Sequence, residues 1–187
     1  MKKVLIFHGF GGTPNGGWRS WLMGELDKED IWAASFPMPN PDAPVLEEWL
    51  QTIQQIVNEN KDDELYLVGH SLGSTAILRY LESSLNDTVV AGVVLVSGPI
   101  EDLGRAELKP FLAPSFDYEK IKTKANQFAV IHGDTDDRVP LAHAEKLFQA
   151  LSCSLIVVPN GGHLNGSSGW HQLPQCLDAL QNMLQSE

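Results

Sequence analysis

With 187 residues, 43% of them hydrophobic and 20% charged, the chain is long enough to bury a sizeable core and too apolar for a disordered segment. Its 13 Lys and Arg against 24 Asp and Glu leave a formal charge of −11. No basic cluster offers a footprint for a phosphate backbone, so nucleic acid is not expected as a partner, and the acidic balance mildly disfavours polyanionic substrates. Cys153 and Cys176 fit neither a metal knuckle nor a disulfide framework. The apolar run after Met1-Lys2-Lys3 extends only from Val4 to Phe7, short of a signal peptide, and no stretch is long enough to span a bilayer. A single cytoplasmic domain over residues 1–187, away from membranes, is expected.

The first apolar run, Val4–Phe7, leads into His8-Gly9-Phe10-Gly11-Gly12. This loop lacks the last glycine of a dinucleotide fingerprint, and Pro14 stands where the helix of such a motif should begin. A second run covers Ile31–Phe36. Over 44–60, Val45, Leu46, Trp49, Leu50, Ile53, Ile56 and Val57 recur at three- and four-residue steps, predicting a helix with Pro44 in its first turn and Trp49 on its core face. Leu65–Val68 reads as a strand and 72–83 as a helix, with Gly69-His70-Ser71-Leu72-Gly73 between them. Val89–Val96 and Phe128–Ile131 are further strands. Helices over 140–150 and 174–185 flank a last strand, Leu155–Val158, and Cys176 falls in the final helix as a buried thiol. Near-continuous apolarity is what strands covered on both faces require. The alternation of strand and helix predicts an α/β three-layer sandwich with a mostly parallel sheet of about six strands, whose site lies at the carboxyl ends of the strands.

The unusual residues fall at those ends. Gly-x-Ser-x-Gly on a strand-to-helix turn meets the demands of a nucleophile elbow: small residues two before and two after Ser71, and a helix amino terminus aimed at developing negative charge. A serine hydroxyl needs a base. Of six histidines, His70 points away inside the turn, His8 packs beneath the first glycine loop, His132 and His143 read as structural or solvent-facing, and His171 is a weak rival. His163, in Pro159-Asn160-Gly161-Gly162-His163, follows the last strand and completes the order serine, acid, histidine. The loop Gly133-Asp134-Thr135-Asp136-Asp137-Arg138-Val139-Pro140 supplies the acid, though spacing does not choose among its three aspartates. The cluster lacks the spacing of a calcium loop, and neither metal nor organic cofactor is required. The backbone amides of Phe10 and Leu72 are the expected oxyanion donors.

These motifs, together with Trp18 and Trp21 in a first helix, Met38-Pro39-Asn40-Pro41 before Glu48-Trp49-Leu50, Leu95-Val96-Ser97-Gly98 and Ser115-Phe116-Asp117, resemble the small α/β-hydrolases related to retinoblastoma-binding protein 9 and their bacterial YdeN-like members. The resemblance runs over nearly the whole chain. It implies an α/β-hydrolase fold without a large lid domain, a Ser71–Asp136–His163 triad and esterase-like activity. In many hydrolases whose loop reads Gly-Asp-x-Asp-x-x-Val-Pro, the second aspartate serves, here Asp136. Asp137 is the alternative, either solvated or paired with Arg138, while Asp134 braces the loop. Only about twenty residues separate Ser97 from the helix near Glu119, where larger relatives insert a lid. An open, shallow site for a small-molecule ester with a short acyl group is therefore expected, with Phe10, Trp18, Phe111, Phe116 and Trp170 as candidate walls. The rival readings are a protein-binding module with a vestigial triad, and a peptidase, thioesterase or perhydrolase using the same groups. Retinoblastoma-protein binding is not supported: Leu151-Ser152-Cys153-Ser154-Leu155 lacks the required Glu and reads as a strand entering the sheet.

Overall fold

The computed structural model describes residues 1–85 and 87–185. Six strands, β1 (Lys2–Phe7), β2 (Trp32–Phe36), β3 (Glu64–His70), β4 (Gly92–Val96), β5 (Phe128–Gly133) and β6 (Ser154–Val158), form one sheet in the order β2-β1-β3-β4-β5-β6. Every neighbouring pair is parallel. The helices are α1 (Arg19–Asp27), α2 (Leu46–Glu59), α3 (Leu72–Glu82), α4 (Lys109–Leu112), α5 (Tyr118–Lys122), α6 (Leu141–Leu151) and α7 (Pro174–Gln185). Among the described residues no helix is long and apolar enough to cross a membrane.

The layers follow from chain direction. Only the β1-to-β2 connection steps toward one edge of the sheet; the later ones step toward the other. Right-handed crossovers then require α1 to lie opposite α2, α3 and α6. The packing has this form. Val4 and Ile6 of β1 meet Leu22 and Leu26 of α1 and Cys176 and Leu180 of α7. Leu5 and Phe7 face Trp49 and Ile53 of α2, Ala76 and Ile77 of α3, and the layer that includes Leu147 of α6. The reversal of direction between β1 and β3 opens the loops after those two strands away from each other, which makes the crevice where such sheets carry their sites.

Several boundaries differ from the sequence expectations. Trp18 precedes α1 as its amino-terminal cap residue. Of the run Val89–Val96, only Gly92–Val96 joins the ladder, because Val90 bridges to Ala125 instead. The apolar runs of β2 and β6 also misled in one respect. Both are edge strands, and Trp32 and Val157 are exposed. The string Leu151–Leu155 is a helix-to-strand junction, with Leu151 ending α6, Ser152 in a left-handed cap and β6 starting at Ser154.

Candidate active site

The end of β3 turns abruptly into α3. Ser71 sits at the turn with φ 53° and ψ −123°, a conformation that costs a side-chain-bearing residue about 1–3 kcal/mol and must be imposed by its surroundings. The turn closes only because its flanks lack side chains. A Cβ at Gly69 would lie 2.5 Å from the Ser74 Cα, and one at Gly73 would lie 2.3 Å from the Phe7 carbonyl oxygen. Ser74, which the motif leaves unspecified, ties the turn down. Its hydroxyl donates to the Gly69 carbonyl at 2.8 Å and accepts from the Val96 amide at 3.1 Å, while the Ser71 amide donates to Val96 at 2.8 Å.

Three segments far apart in sequence converge on that turn. The His163 Nε2 lies 2.9 Å from the Ser71 Oγ, and its Nδ1 lies 2.8 Å from the Asp136 Oδ2. With Nδ1–H donating to the carboxylate, Nε2 is left as the acceptor for the serine proton. Asp136 is chosen by geometry from the three aspartates of its loop. Its other oxygen accepts from the amides of Arg138 and Val139 at 2.9 and 3.0 Å, and its side chain is fully buried. Burial alone would raise its pKa. The hydrogen bond and charge of His163 and the two amides outweigh that, holding the group below the ordinary carboxylate value. Asp134 accepts from the Asn160 amide at 2.7 Å and so links the β5 and β6 loops. Asp137 is exposed and makes no ion pair with Arg138 among the described residues; Arg138 reaches the Ser167 hydroxyl instead, at 3.5 Å.

The remaining histidines have structural partners or lie apart. His70 is buried beside His163, ring centroids 5.1 Å apart, and donates from Nε2 to the His163 carbonyl at 3.0 Å. Burial, and secondarily the charge of His163, lowers its pKa to about 3, so it is neutral. His8 donates from Nδ1 to the Gly9 carbonyl and accepts at Nε2 from the Met38 amide. His132 lies against the acid loop, bonded to the Val139 carbonyl at 2.8 Å, and His143 accepts from the Ile100 amide. His171 is exposed.

The loop after β1 is held from below. The Gly11 amide donates to the Pro41 carbonyl at 2.8 Å, and the Trp49 indole donates to the Pro39 carbonyl at 2.7 Å. The segment Met38–Pro41 therefore buttresses the glycine loop through His8, Gly11 and Trp49. The amides of Phe10 and Leu72 have no protein acceptor among the described residues, and both residues line the cavity that contains Ser71.

That cavity has a volume of about 580 Å³, large enough for a small ester. Its apolar walls include Phe10, Leu103, Leu108 and Val139. Four of the aromatic walls named from sequence are elsewhere. Trp18 is buried behind the site, where its indole donates to the Leu164 carbonyl at 2.8 Å and props the loop carrying His163. Phe111 is in the core, edge-on to Trp49 at 5.5 Å. Phe116 lies under the Arg79 guanidinium at 3.7 Å. Trp170 packs half-buried against the α1/α7 layer. Aromatic content marks buried area but not the side of the sheet on which a ring is buried. Three arginines line the cavity: Arg19 and Arg105, which sequence reasoning passed over, and Arg138, which it considered only as a partner of Asp137.

Comparison with known proteins agrees with this architecture. The model of the family described as "Serine hydrolase" matches residues 4–182. The Bacillus subtilis (strain 168) protein described as "Putative hydrolase YdeN" is 36% identical over 190 residues, covering 100% of this chain and 98% of its own length. The crystal structure of the ydeN gene product from B. subtilis superposes with a TM-score of 0.93 at 35% identity, with full coverage of both chains. Serine hydrolase RBBP9 of Rattus norvegicus is 25% identical over 184 residues, 95% of each chain. A six-stranded parallel sheet carrying a serine elbow, with a family match over almost its entire length, makes this chain a member of the serine hydrolase family, built as an α/β-hydrolase.

Proposed function

We propose that the protein is a carboxylesterase-like serine hydrolase that cleaves small esters through an acyl-enzyme on Ser71. The observation that carries the reading is the continuous relay from the Asp136 Oδ2 through both ring nitrogens of His163 to the Ser71 Oγ, with both links under 3.0 Å. His163 takes the hydroxyl proton as Ser71 attacks the ester carbonyl. Asp136 keeps the imidazole in the required tautomer and stabilises the imidazolium that forms. The free amides of Phe10 and Leu72 receive the oxyanion, a contribution of about 10²–10³ in turnover per donor in comparable sites. His163 then passes its proton to the departing alcohol, and the same base activates the water that releases the acid. Every step uses groups of this chain. A cytoplasmic location, where thiols stay reduced, suits the unbridged Cys153 and Cys176.

A fluorophosphonate probe and a series of p-nitrophenyl esters of increasing acyl length test the proposal against the unaltered protein and Ser71→Ala. Labelling at Ser71 is expected, with ester turnover falling on the order of a millionfold in the variant. An unlabelled Ser71 would favour a binding module with a vestigial triad, and turnover that persists in Ser71→Ala would overturn the assignment of the nucleophile.

A further inference from the structure

The chain has four arginines, and three of them, Arg19, Arg105 and Arg138, line the cavity that contains Ser71. No Asp or Glu is among the cavity's described lining residues. In a chain with 24 acidic side chains, this is a local reversal of sign. Three carboxylates come close to lining residues without joining the lining: Asp136, engaged by the His163 ring and two amides; Glu107, paired with Arg105; and Asp42, beside Gly11.

The three arginines differ in how fully they are satisfied. Arg105 shares the carboxylate of Glu107 and stacks over the Phe10 ring at 4.2 Å. Arg138 is exposed and has no carboxylate partner among the described residues. Arg19 is the most unusual. Only 5% of it is exposed, yet its guanidinium meets no carboxylate among the described residues. Nε and Nη2 donate to the Thr13 carbonyl, and Nε also reaches that of Pro14, whereas Nη1 has no protein acceptor there. Burial brings its pKa down to about 10, which leaves it charged at neutral pH. A buried cation without a counter-charge is costly unless an anion completes it. The guanidinium fork matches carboxylate and phosphate oxygens.

We infer that the cavity takes an anionic ester, in which a carboxylate or phosphate-like group lies within a few bonds of the carbonyl that Ser71 attacks, received by Arg19 and Arg138 with Arg105 at the rim. The acidic surface, which on net charge alone would disfavour such ligands, is then offset at contact range. The inference rests on the hydrolase reading for which end of the ligand faces Ser71, but not for the anion site itself.

Its test separates the two. Calorimetry on the Ser71→Ala protein compares monomethyl glutarate, methyl 3-phosphonopropionate and the neutral dimethyl glutarate. At least one anion is expected to bind ten- to a hundredfold more tightly than the neutral diester, roughly the worth of charge-assisted hydrogen bonds. The tighter of the two identifies carboxylate or phosphate as the preferred group. Because Arg138 is exposed, Arg138→Gln is tolerated by the fold, and it should reduce that selectivity about three- to tenfold. Neutral diester bound as tightly as both anions, no binding of either anion at millimolar concentration, or selectivity unchanged in Arg138→Gln would each overturn the inference. Ester turnover by the unaltered protein, read separately, decides the hydrolase reading.

Discussion

His70 gives the sharpest quantitative consequence of the site's architecture. Its ring is buried between Trp18, edge-on at 6.0 Å, and His163. Its pKa falls from 6.5 to about 3, chiefly through burial. The unfolded chain binds a proton at this residue below pH 6.5, whereas the folded protein does not until about pH 3. The stability that His70 lends to the native state is therefore complete above pH 6.5 and drains away as pH falls through that window. Three and a half units at about 1.4 kcal/mol each make about 5 kcal/mol, comparable to the whole stability of many domains. Burial also lowers the pKa of His8, His132 and His143, which adds to the slope. Asp136, lowered as a carboxylate, contributes in the same direction only below about pH 4. Urea unfolding at half-unit intervals from pH 7.5 to 4.5 measures the slope directly. His70→Asn starts from a lower stability, but its slope between pH 6 and 4.5 should be shallower by about 1.4 kcal/mol per unit. Parallel slopes for the two proteins would refute the account of His70 as a buried neutral base.

Other substitutions probe separate links in the argument. Asp136→Asn should keep the fold and lower ester turnover about 10⁴-fold, whereas Asp137→Asn should change turnover little; steady-state kinetics on one short-chain ester decide it. Gly73→Ala drives a methyl against the Phe7 carbonyl and should cost about 3 kcal/mol or more, while Gly24→Ala in α1, with open space around the added carbon, should stabilise by about 0.5–1 kcal/mol, both read by urea unfolding. Phe111→Ala should cost about 3–5 kcal/mol of stability with KM unchanged, since that ring fills the core rather than the cavity. Trp49→Phe removes the donor that holds Pro39 and should lower kcat more than it raises KM, because it loosens the loop that carries the Phe10 amide.

What could be read from the sequence was what local chemistry constrains. Gly69 and Gly73 are forced by the crowding of a tight strand-to-helix turn, so the elbow was legible from five residues. The alternation of apolar runs with helical periods gave the parallel sheet, because both patterns record burial directly. His163 followed from its place after the last strand. The acid was harder, since Asp134, Asp136 and Asp137 share one loop and one spacing. Only the fold determines which oxygen meets the Nδ1 of His163, and the amides of Arg138 and Val139 that fix Asp136 carry no side-chain signature. The cavity wall was the least legible part. Leu103, Arg105 and Leu108 come from a connection without periodicity, and an arginine on such a loop looks like any solvated charge until the fold brings it to the cavity. Trp18 failed as a wall for a related reason: sequence places it near the site but does not say that α1 lies across the sheet from α2 and α3.

The neutrality of His70 also bears on catalysis. In the acyl transfer proposed above, His163 carries a positive charge, and His70 is its ring neighbour at 5.1 Å. Two unit charges at that separation repel by about 3 kcal/mol at an effective dielectric near 20, a penalty worth roughly a hundredfold in rate. Desolvation of His70 removes that penalty well above about pH 3, while its Nε2–H still holds the His163 carbonyl. The same burial therefore gives the fold its sensitivity to acid and, in the proposed mechanism, lets His163 accept the Ser71 proton without a competing cation beside it. A solvated histidine in this position could supply the hydrogen bond but would gain a charge as the pH fell below neutrality, so the site needs the cost that burial imposes on protonating His70.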